Sequence, residues 1–465
     1  NQLVPDSPFY NTPTAAWLLG TLDIEALARS LNEVVRRHEN LRTTFRAIDD
    51  QPVQIIAPEL TLPLPLIDLS SVPEDERQAA ALRMVQEETA QPFDLSRGPL
   101  IRAKLLRLNT DQHLILLTLH HIVSDGWSRQ VLTRELAALY AAFSTGQPSP
   151  LPELPFQYAD YAVWQQQWLQ GAVMDHLLGY WKPQLADAPT VLALPIDRPR
   201  PPVQSFRGAD YLLNISQELL ERLTTLSRQA GVTLFMTLLA AYNVLLAYHS
   251  NQDDILVGSP IANRNRSQIE GLIGMLANML VLRTRLSNDL PFQKLLAQVR
   301  DTALDAYAHQ DLPFEKLVEE IQPERSLSYS PLFQVAFALQ NVSAAEIAID
   351  DLRLSVLDAE RNTATFDINL RMWESAEGLH GAWGYSTDLF DETTIARLAR
   401  DFHLLLQTVA EQPHLTVDEL TTLLAEHERQ QQRSKAEELQ ASNSQKLRRL
   451  RKTERSPHGK GATEL

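Results

Sequence analysis

The run Leu114-Ile115-Leu116-Leu117-Thr118-Leu119 is stopped by His120-His121-Ile122-Val123-Ser124-Asp125-Gly126, and that junction constrains the fold more than any other part of the chain. An apolar run this short reads as a strand buried on both faces. The Asp-Gly pair breaks it, and from Trp127 the period changes. Leu132, Leu136, Leu139, Tyr140 and Phe143 recur at helical spacing, and Gly146 suits the end of that helix. The chain must therefore carry two histidines and an aspartate on a strand end facing a turn. A general base can be held rigidly in such a place.

The spacing argues against a metal. Successive strand residues point to opposite faces, so His120 and His121 are badly placed to share one ion. A zinc pair would sit at i, i+2 on a strand or i, i+4 on a helix, and the chain has no cysteine to supply a thiolate. We therefore expect no metal. One histidine should face a cleft while the other packs inward, and Asp125 can return across the turn to a partner. Taken alone, the pair reads more readily as two core histidines at a strand end, because satisfied structural histidines are common.

The chain reads as two similar halves, and this junction lies in the first. In the first, Asp23 can cap a helix whose Ile24, Leu27, Leu31, Val34 and Val35 share one side, leading to a strand over Leu41–Phe45. In the second, Ser216 can cap a helix with Leu219, Leu220, Leu223 and Leu226. A further helix spans Leu234 to Tyr248, and Ile255-Leu256-Val257-Gly258 reads as a strand. Between the halves, Ala188 to Val203 carries Pro189, Pro195, Pro199, Pro201 and Pro202. So many prolines can continue neither a helix nor a central strand. The expected organisation is a first lobe over 1–175, a Pro-rich linker over 176–205, a second lobe over 206–425 and a polar, basic tail over 426–465. Both lobes read as α+β. The tail's cluster Lys446, Arg448, Arg449, Arg451, Lys452 and Arg455 reads as a solvated linker rather than a docking helix.

Composition only bounds function. A net charge of −16 speaks against a broad nucleic-acid surface. No run approaches the ~18 apolar residues of a membrane span. The absence of cysteine excludes a disulfide framework and fits a cytoplasmic, reducing setting.

His120-His121-Ile122-Val123-Ser124-Asp125-Gly126 matches the pattern HHxxxDG, and further stretches match in order. Arg36-Arg37-His38-Glu39-Asn40-Leu41-Arg42-Thr43-Thr44-Phe45 contains RHExLRTxF. Tyr158-Ala159-Asp160-Tyr161-Ala162-Val163-Trp164 is close to YxDFAVW, and Ile273 to Arg283 is close to IGxFVNTxVLR, with Leu276 and Met279 in place of Phe and Thr. His309-Gln310-Asp311-Leu312-Pro313-Phe314-Glu315 matches HQDxPFE, and Pro331-Leu332-Phe333-Gln334-Val335 follows. To about residue 425 the chain resembles the condensation domains of nonribosomal peptide synthetases, within the chloramphenicol-acetyltransferase-like superfamily. It starts just after the place of the family's opening SxAQxRLW segment and has no initiator Met, so we expect it to derive from a longer polypeptide.

The resemblance implies two chloramphenicol-acetyltransferase-like lobes forming a V-shaped pseudo-dimer with a tunnel between them. It implies formation of an amide bond as an acceptor amine attacks a donor thioester. Both substrates would ride on 4'-phosphopantetheine arms of upstream and downstream carrier domains, beside an adenylation domain, with no cofactor bound directly. No carrier motif, GxxxxGK[ST] loop or G-x-S-x-G elbow occurs in the sequence, so direct attack without a covalent serine is expected. His121 matches the family's catalytic residue, as a general base or as a group that orients the amine and stabilises the zwitterionic intermediate. His120, Asp125 and Gly126 support it. Arg283 occupies the place of the arginine that pairs with the aspartate. Gly126 is expected to hold backbone that a Cβ would strain and to let substrate approach. Trp127, Ser128 and Asn278 are candidates for the tunnel wall, and His309 and Asp311 read as structural.

Relatives with HHxxxDG divide into other classes. An epimerase would use the same histidine with a carboxylate, yet Trp127-Ser128 follows Gly126 in the condensation order. A cyclization domain would carry a DxxxxD pattern instead. A lipid or polyketide O-acyltransferase would not be expected to share all the other motifs. A non-catalytic recruitment domain typically loses the first histidine, and His120 is present. Within condensation domains, HHIVSDGWS and the Ser7-Pro8-Phe9-Tyr10-Asn11 start look most like the subtype taking an L-configured donor. A starter or modifying subtype with an acyl donor is the alternative.

Overall fold

The computed structural model describes residues 8–49, 51–324, 326–340, 347–349, 351–357 and 363–433. The first half runs β1 (Asn11–Leu19), α1 (Ile24–Arg37), the hairpin β2 (Thr43–Ile48) and β3 (Gln51–Ile56), β4 (Leu66–Asp68) and α2 (Glu74–Thr89). Then come β5 (Ile101–Arg107), β6 (Gln112–His120), α3 (Gly126–Ser144), α4 (Tyr158–Trp168) and α5 (Gly171–Leu185). Asp23 caps α1 as expected, accepting from the Ala26 N–H at 2.9 Å. The expected strand over Leu41–Phe45 starts two residues late, because Glu39–Arg42 form a single 3-10 turn that buries Leu41 completely.

The apolar run becomes β6, antiparallel to β1 on one side and β5 on the other. Its period-2 alternation serves two cores. Ile115, Leu117 and Leu119 pack with Leu27 and Leu31 of α1 and Leu132 and Leu139 of α3. Leu114 and Leu116 pack with Ala81 and Val85 of α2 on the other face. A strand covered on both faces has little room for polar residues, which is why the run is nearly unbroken.

The second half runs β7 (Gly208–Ser216), α6 (Gln217–Ala230), α7 (Leu234–Ser250), β8 (Asp254–Ile261), β9 (Asn278–Arg285), α8 (Phe292–Ala308), α9 (Phe314–Ile321) and β10 (Val335–Gln340). After it come β11 (Ile347–Ile349), β12 (Leu352–Leu357), β13 (Ile368–Ser375), β14 (Gly378–Ser386), α10 (Glu392–Glu411) and a last helix over 417–433. Its six-stranded sheet has the order β7-β14-β13-β10-β8-β9. Ser216 caps α6 through the Leu219 N–H, as expected. The apolar α7 is buried in this lobe's core, and no single helix among the described residues is long and apolar enough to cross a membrane.

The α+β reading therefore stands, with two mixed sheets in two lobes, and two stretches of the second half reach onto the first lobe. β11 and β12 leave the second half and extend the first lobe's sheet, giving the order β11-β12-β1-β6-β5-β4. Leu352 then sits in the first lobe's core, and so does Ile273 from the segment before β9. The linker expected over 176–205 begins too early. Its first ten residues complete α5, whose Leu177, Leu178, Trp181 and Leu185 belong to the second lobe's core. The prolines from Pro189 onward do run without helix or strand. The basic cluster at 446–455 lies outside the described residues.

Candidate active site

The site is built on the end of β6. His120 is its last residue and keeps the parity of Leu114 and Leu116, so its ring turns inward and is only 6% exposed. His121 begins one 3-10 turn, His121–Val123, and is half-buried. His120 caps that turn: its Nδ1 accepts the Ile122 N–H at 3.1 Å. An accepting Nδ1 leaves the proton on Nε2 in the neutral ring. Burial first, and the neighbouring His121 second, push the His120 pKa down to about 4. Tyr10 and Phe93 flank the ring at 5.9 and 6.1 Å between centroids. His120 is thus a neutral cap on the turn that His121 begins. Among the described residues, no side chain hydrogen-bonds the His121 ring.

Asp125 closes the turn from the other end. It is the N-cap of α3, its Oδ1 accepting from the Ser128 N–H and lying 2.8 Å from the Ser128 hydroxyl. Its Oδ2 accepts the Leu276 and Ala277 N–H groups of the second half at 3.1 and 3.0 Å. Across both oxygens lies the guanidinium of Arg264, at 2.8 and 3.1 Å. Burial opposes the charge on Asp125, but the Arg264 hydrogen bonds and charge, with Ser128, outweigh it and hold the pKa below the usual carboxylate value. A carboxylate so fully engaged cannot double as a base.

The expected partner of Asp125 was Arg283, and the structure corrects this. Arg283 lies on β9 opposite Leu256, so Asp254 is two residues along on the facing strand and shares its face. The Arg283 guanidinium takes Asp254 at 2.6 and 2.8 Å and donates to the carbonyls of Gln184 and Ala186. It braces β8 and the end of α5. Arg264, three residues beyond β8, is carried over the first lobe by the segment that also buries Ile273.

Other candidates also change role. Asn278 is engaged within the second lobe: its amide donates to the Gln310 and Leu312 carbonyls and its oxygen accepts from Met279 and Phe314, which caps α9. No polar group remains for a substrate. Ser128 is 1% exposed and bonded to Gly274 in both directions, through its hydroxyl to the carbonyl at 3.0 Å and from the N–H at 3.1 Å. Trp127 donates from Nε1 to the Glu270 carbonyl at 2.9 Å, so it joins the lobes. Gly126 is the first helical residue, with no left-handed backbone, and an added Cβ would meet nothing within 4 Å. Backbone strain therefore does not require a glycine there, whereas open space before the helix N-terminus is real. His309 is structural: its Nδ1 lies 2.7 Å from the Asp305 carbonyl and its ring stacks on Tyr180.

Sequence reasoning missed three supports. Glu135, on the apolar stripe of α3, meets Arg37 at 3.1 Å and His38 at 2.9 Å, all three nearly buried. Burial opposes its charge, but His38 and Arg37 prevail and lower its pKa. A carboxylate between Leu132 and Leu139 on a buried helix face was a usable signal. Asn40 donates to the carbonyl of Val123, inside the histidine turn. Arg264 carried no signal in the sequence beyond following a strand.

The chain as a whole is similar to several known proteins. The family model described as condensation domain matches residues 1–432. A chain of the linear gramicidin synthase of Brevibacillus parabrevis is 50% identical over 425 residues, covering 91% of this chain and 6% of that protein. The chain thus spans a small part of the curated relatives it matches. Among solved structures, the complex of the X-domain and OxyB from teicoplanin biosynthesis aligns with a TM-score of 0.81 at 30% identity, over 90% of this chain and 92% of that one. The first condensation domain of the calcium-dependent antibiotic synthetase, in complex with a substrate analogue, aligns with a TM-score of 0.74 over 90% and 95%, and at 22% identity it shares the fold.

Proposed function

The chain belongs to the condensation-domain family, and on that premise we propose that it forms amide bonds within a nonribosomal peptide synthetase. The acceptor's α-amine attacks the carbonyl carbon of the donor thioester. A C–N bond forms, the C–S bond breaks, the donor arm leaves as a thiol and the lengthened chain stays on the acceptor arm. One proton must pass from the amine to the departing sulfur. His121 would take it, or hold the charged amine of the tetrahedral intermediate; what supports this is that no described side chain hydrogen-bonds its ring, on a turn capped by His120 and followed by the Asp125 cap. That is the observation that carries the proposal.

An α-amine of an aminoacyl thioester is substantially neutral near pH 7, so positioning contributes much of the rate. Orientation in a ternary complex can be worth several powers of ten, against about 10²–10⁴ for general base work. The substrates arrive on 4'-phosphopantetheine arms of separate donor and acceptor carriers, with an adenylation domain alongside, in the cytoplasm. The likeness to a linear gramicidin synthase favours an aminoacyl or peptidyl donor over a fatty acyl one. The wording HHIVSDGWS favours an L-configured donor.

Recruitment of a partner enzyme without catalysis is the second reading, favoured by the fold match to an X-domain in complex with OxyB. The intact His120 cap and the unengaged His121 support catalysis instead. The deciding experiment loads one carrier with an L-aminoacyl donor and another with an aminoacyl acceptor. Dipeptide appearing on the acceptor arm by intact-protein mass spectrometry, and lost in His121→Ala, supports condensation. No product from the well-folded parent with several donors would overturn it in favour of recruitment.

A further inference from the structure

One amide ties the histidine turn to the other lobe. Asn40 sits in the 3-10 turn after α1 and is 2% exposed. Its Nδ2 donates to the carbonyl of Val123 at 2.9 Å and to the carbonyl of Ile273 at 3.3 Å. Val123 closes the turn that begins with His121, and Ile273 belongs to the second-half segment that carries Arg264. Both partners are carbonyl oxygens, so only the NH2 group can face them, and the amide's orientation is settled by chemistry. Asn40 Oδ1 is buried without a partner among the described residues, so the side chain is there for its two donors.

The position matters because the other side-chain hydrogen bonds around the turn, from His120 to Ile122 and from Asp125 to Ser128, leave its carbonyls untouched, and Val123 itself is otherwise held only by apolar packing on Phe93 and Leu100. At the close of the turn, the carbonyl of Val123 is anchored by Asn40 alone among the described side chains. The same NH2 group transmits the placement of the second-half segment to that carbonyl. Asn40 also falls on the one position that RHExLRTxF leaves unspecified before its Leu, so the pattern match assigns it nothing.

Resting on the condensation reading above, we propose that Asn40 is a positioning residue, setting the angle at which the His121 ring meets the acceptor amine by locking Val123 to Ile273. Losing the tie lets the turn rotate. A displacement on the order of 1 Å in a reacting geometry costs up to about a hundredfold in rate. The loss falls on kcat, because Asn40 itself touches neither substrate.

The test compares Asn40→Ala and Asn40→Ser with the parent in the two-carrier assay, below the melting temperature of each variant. Asn32→Ala is the matched control: that amide also ties helix α1 to backbone, at Ala28 and Leu62, away from the histidine turn. The expected result is a kcat fall of about tenfold or more in Asn40→Ala with KM for either carrier nearly unchanged. Asn40→Ser, which keeps one donor, falls between and stays readable if the alanine variant fails to fold. The His121 ring carbon resonance, assigned by its loss in His121→Ala, shifts in the Asn40 variants and not in Asn32→Ala. A parent-like kcat and an unmoved His121 resonance in a folded Asn40 variant would overturn the proposal. An inactive parent would instead count against the condensation reading, and the resonance would still decide whether Asn40 orients His121.

Discussion

Asp125 and Arg264, 139 residues apart, form a two-pronged ion pair in which each side chain is 1% exposed. Lobe meets lobe on this pair, one residue before the helix that follows the histidine turn. Burying two charges is costly, and the structure offsets that cost with N–H donors from Ser128, Leu276 and Ala277 and carbonyl acceptors for the guanidinium.

Removing either partner strands the other charge. Asp125→Ala and Arg264→Ala are each expected to destabilise the protein by roughly 3–5 kcal/mol. In a double-mutant cycle, Asp125 and Arg264 should couple strongly, whereas Asp125 and Arg283 should add to within about 0.5 kcal/mol. Urea unfolding of the single and double variants measures both. Strong coupling to Arg283 would restore the pairing expected from the sequence.

His121→Ala should separate stability from turnover. The ring bonds to no other side chain among the described residues, so the melting temperature should stay near that of the parent. Single-turnover condensation should fall by about 10²–10⁴ if the ring moves the proton. A much smaller loss, with an unchanged pH profile, would assign His121 to orienting the amine.

His120 makes stability fall with acid. Its folded pKa, about 4, lies below the ordinary value of 6.5. Between those limits the unfolded chain binds a proton that the folded chain refuses, so stability declines as pH drops from about 6.5 toward 4 and is fully present above that window. From pH 7.5 to 5 the loss due to this ring should be on the order of 2 kcal/mol. Comparing urea midpoints at both pH values for the parent and His120→Gln checks this. An equal loss in the variant would assign the acid sensitivity to other groups.

Gly126→Ala tests whether the space before α3 belongs to a substrate. A Cβ there meets nothing in the protein, so thermal stability should be kept or slightly raised. If an acyl or aminoacyl group passes this point, KM for a loaded carrier should rise without a fall in melting temperature. A variant with parental kinetics would place the substrates elsewhere.

What the sequence determined by itself was local. Hydrophobic period marked β6, α1, α3, α6 and α7, capping chemistry marked Asp23 and Ser216, and the alternation of strand faces predicted that one histidine would turn in and the other out. Each of these depends on residues within a turn or two of one another, so a linear pattern records it. Tertiary structure alone decided the rest. Whether Arg264 or Arg283 reaches Asp125 depends on which segment folds over the other lobe, and two arginines nineteen positions apart look alike until that packing is made. Asn278 reads as an accessible amide until the carbonyls of Gln310 and Leu312 close on it. The stretch 352–357 falls within the expected second lobe until β12 pairs with β1. Non-local contacts of this kind leave no period in the chain, because the energy that selects them comes from surfaces brought together only by the finished fold.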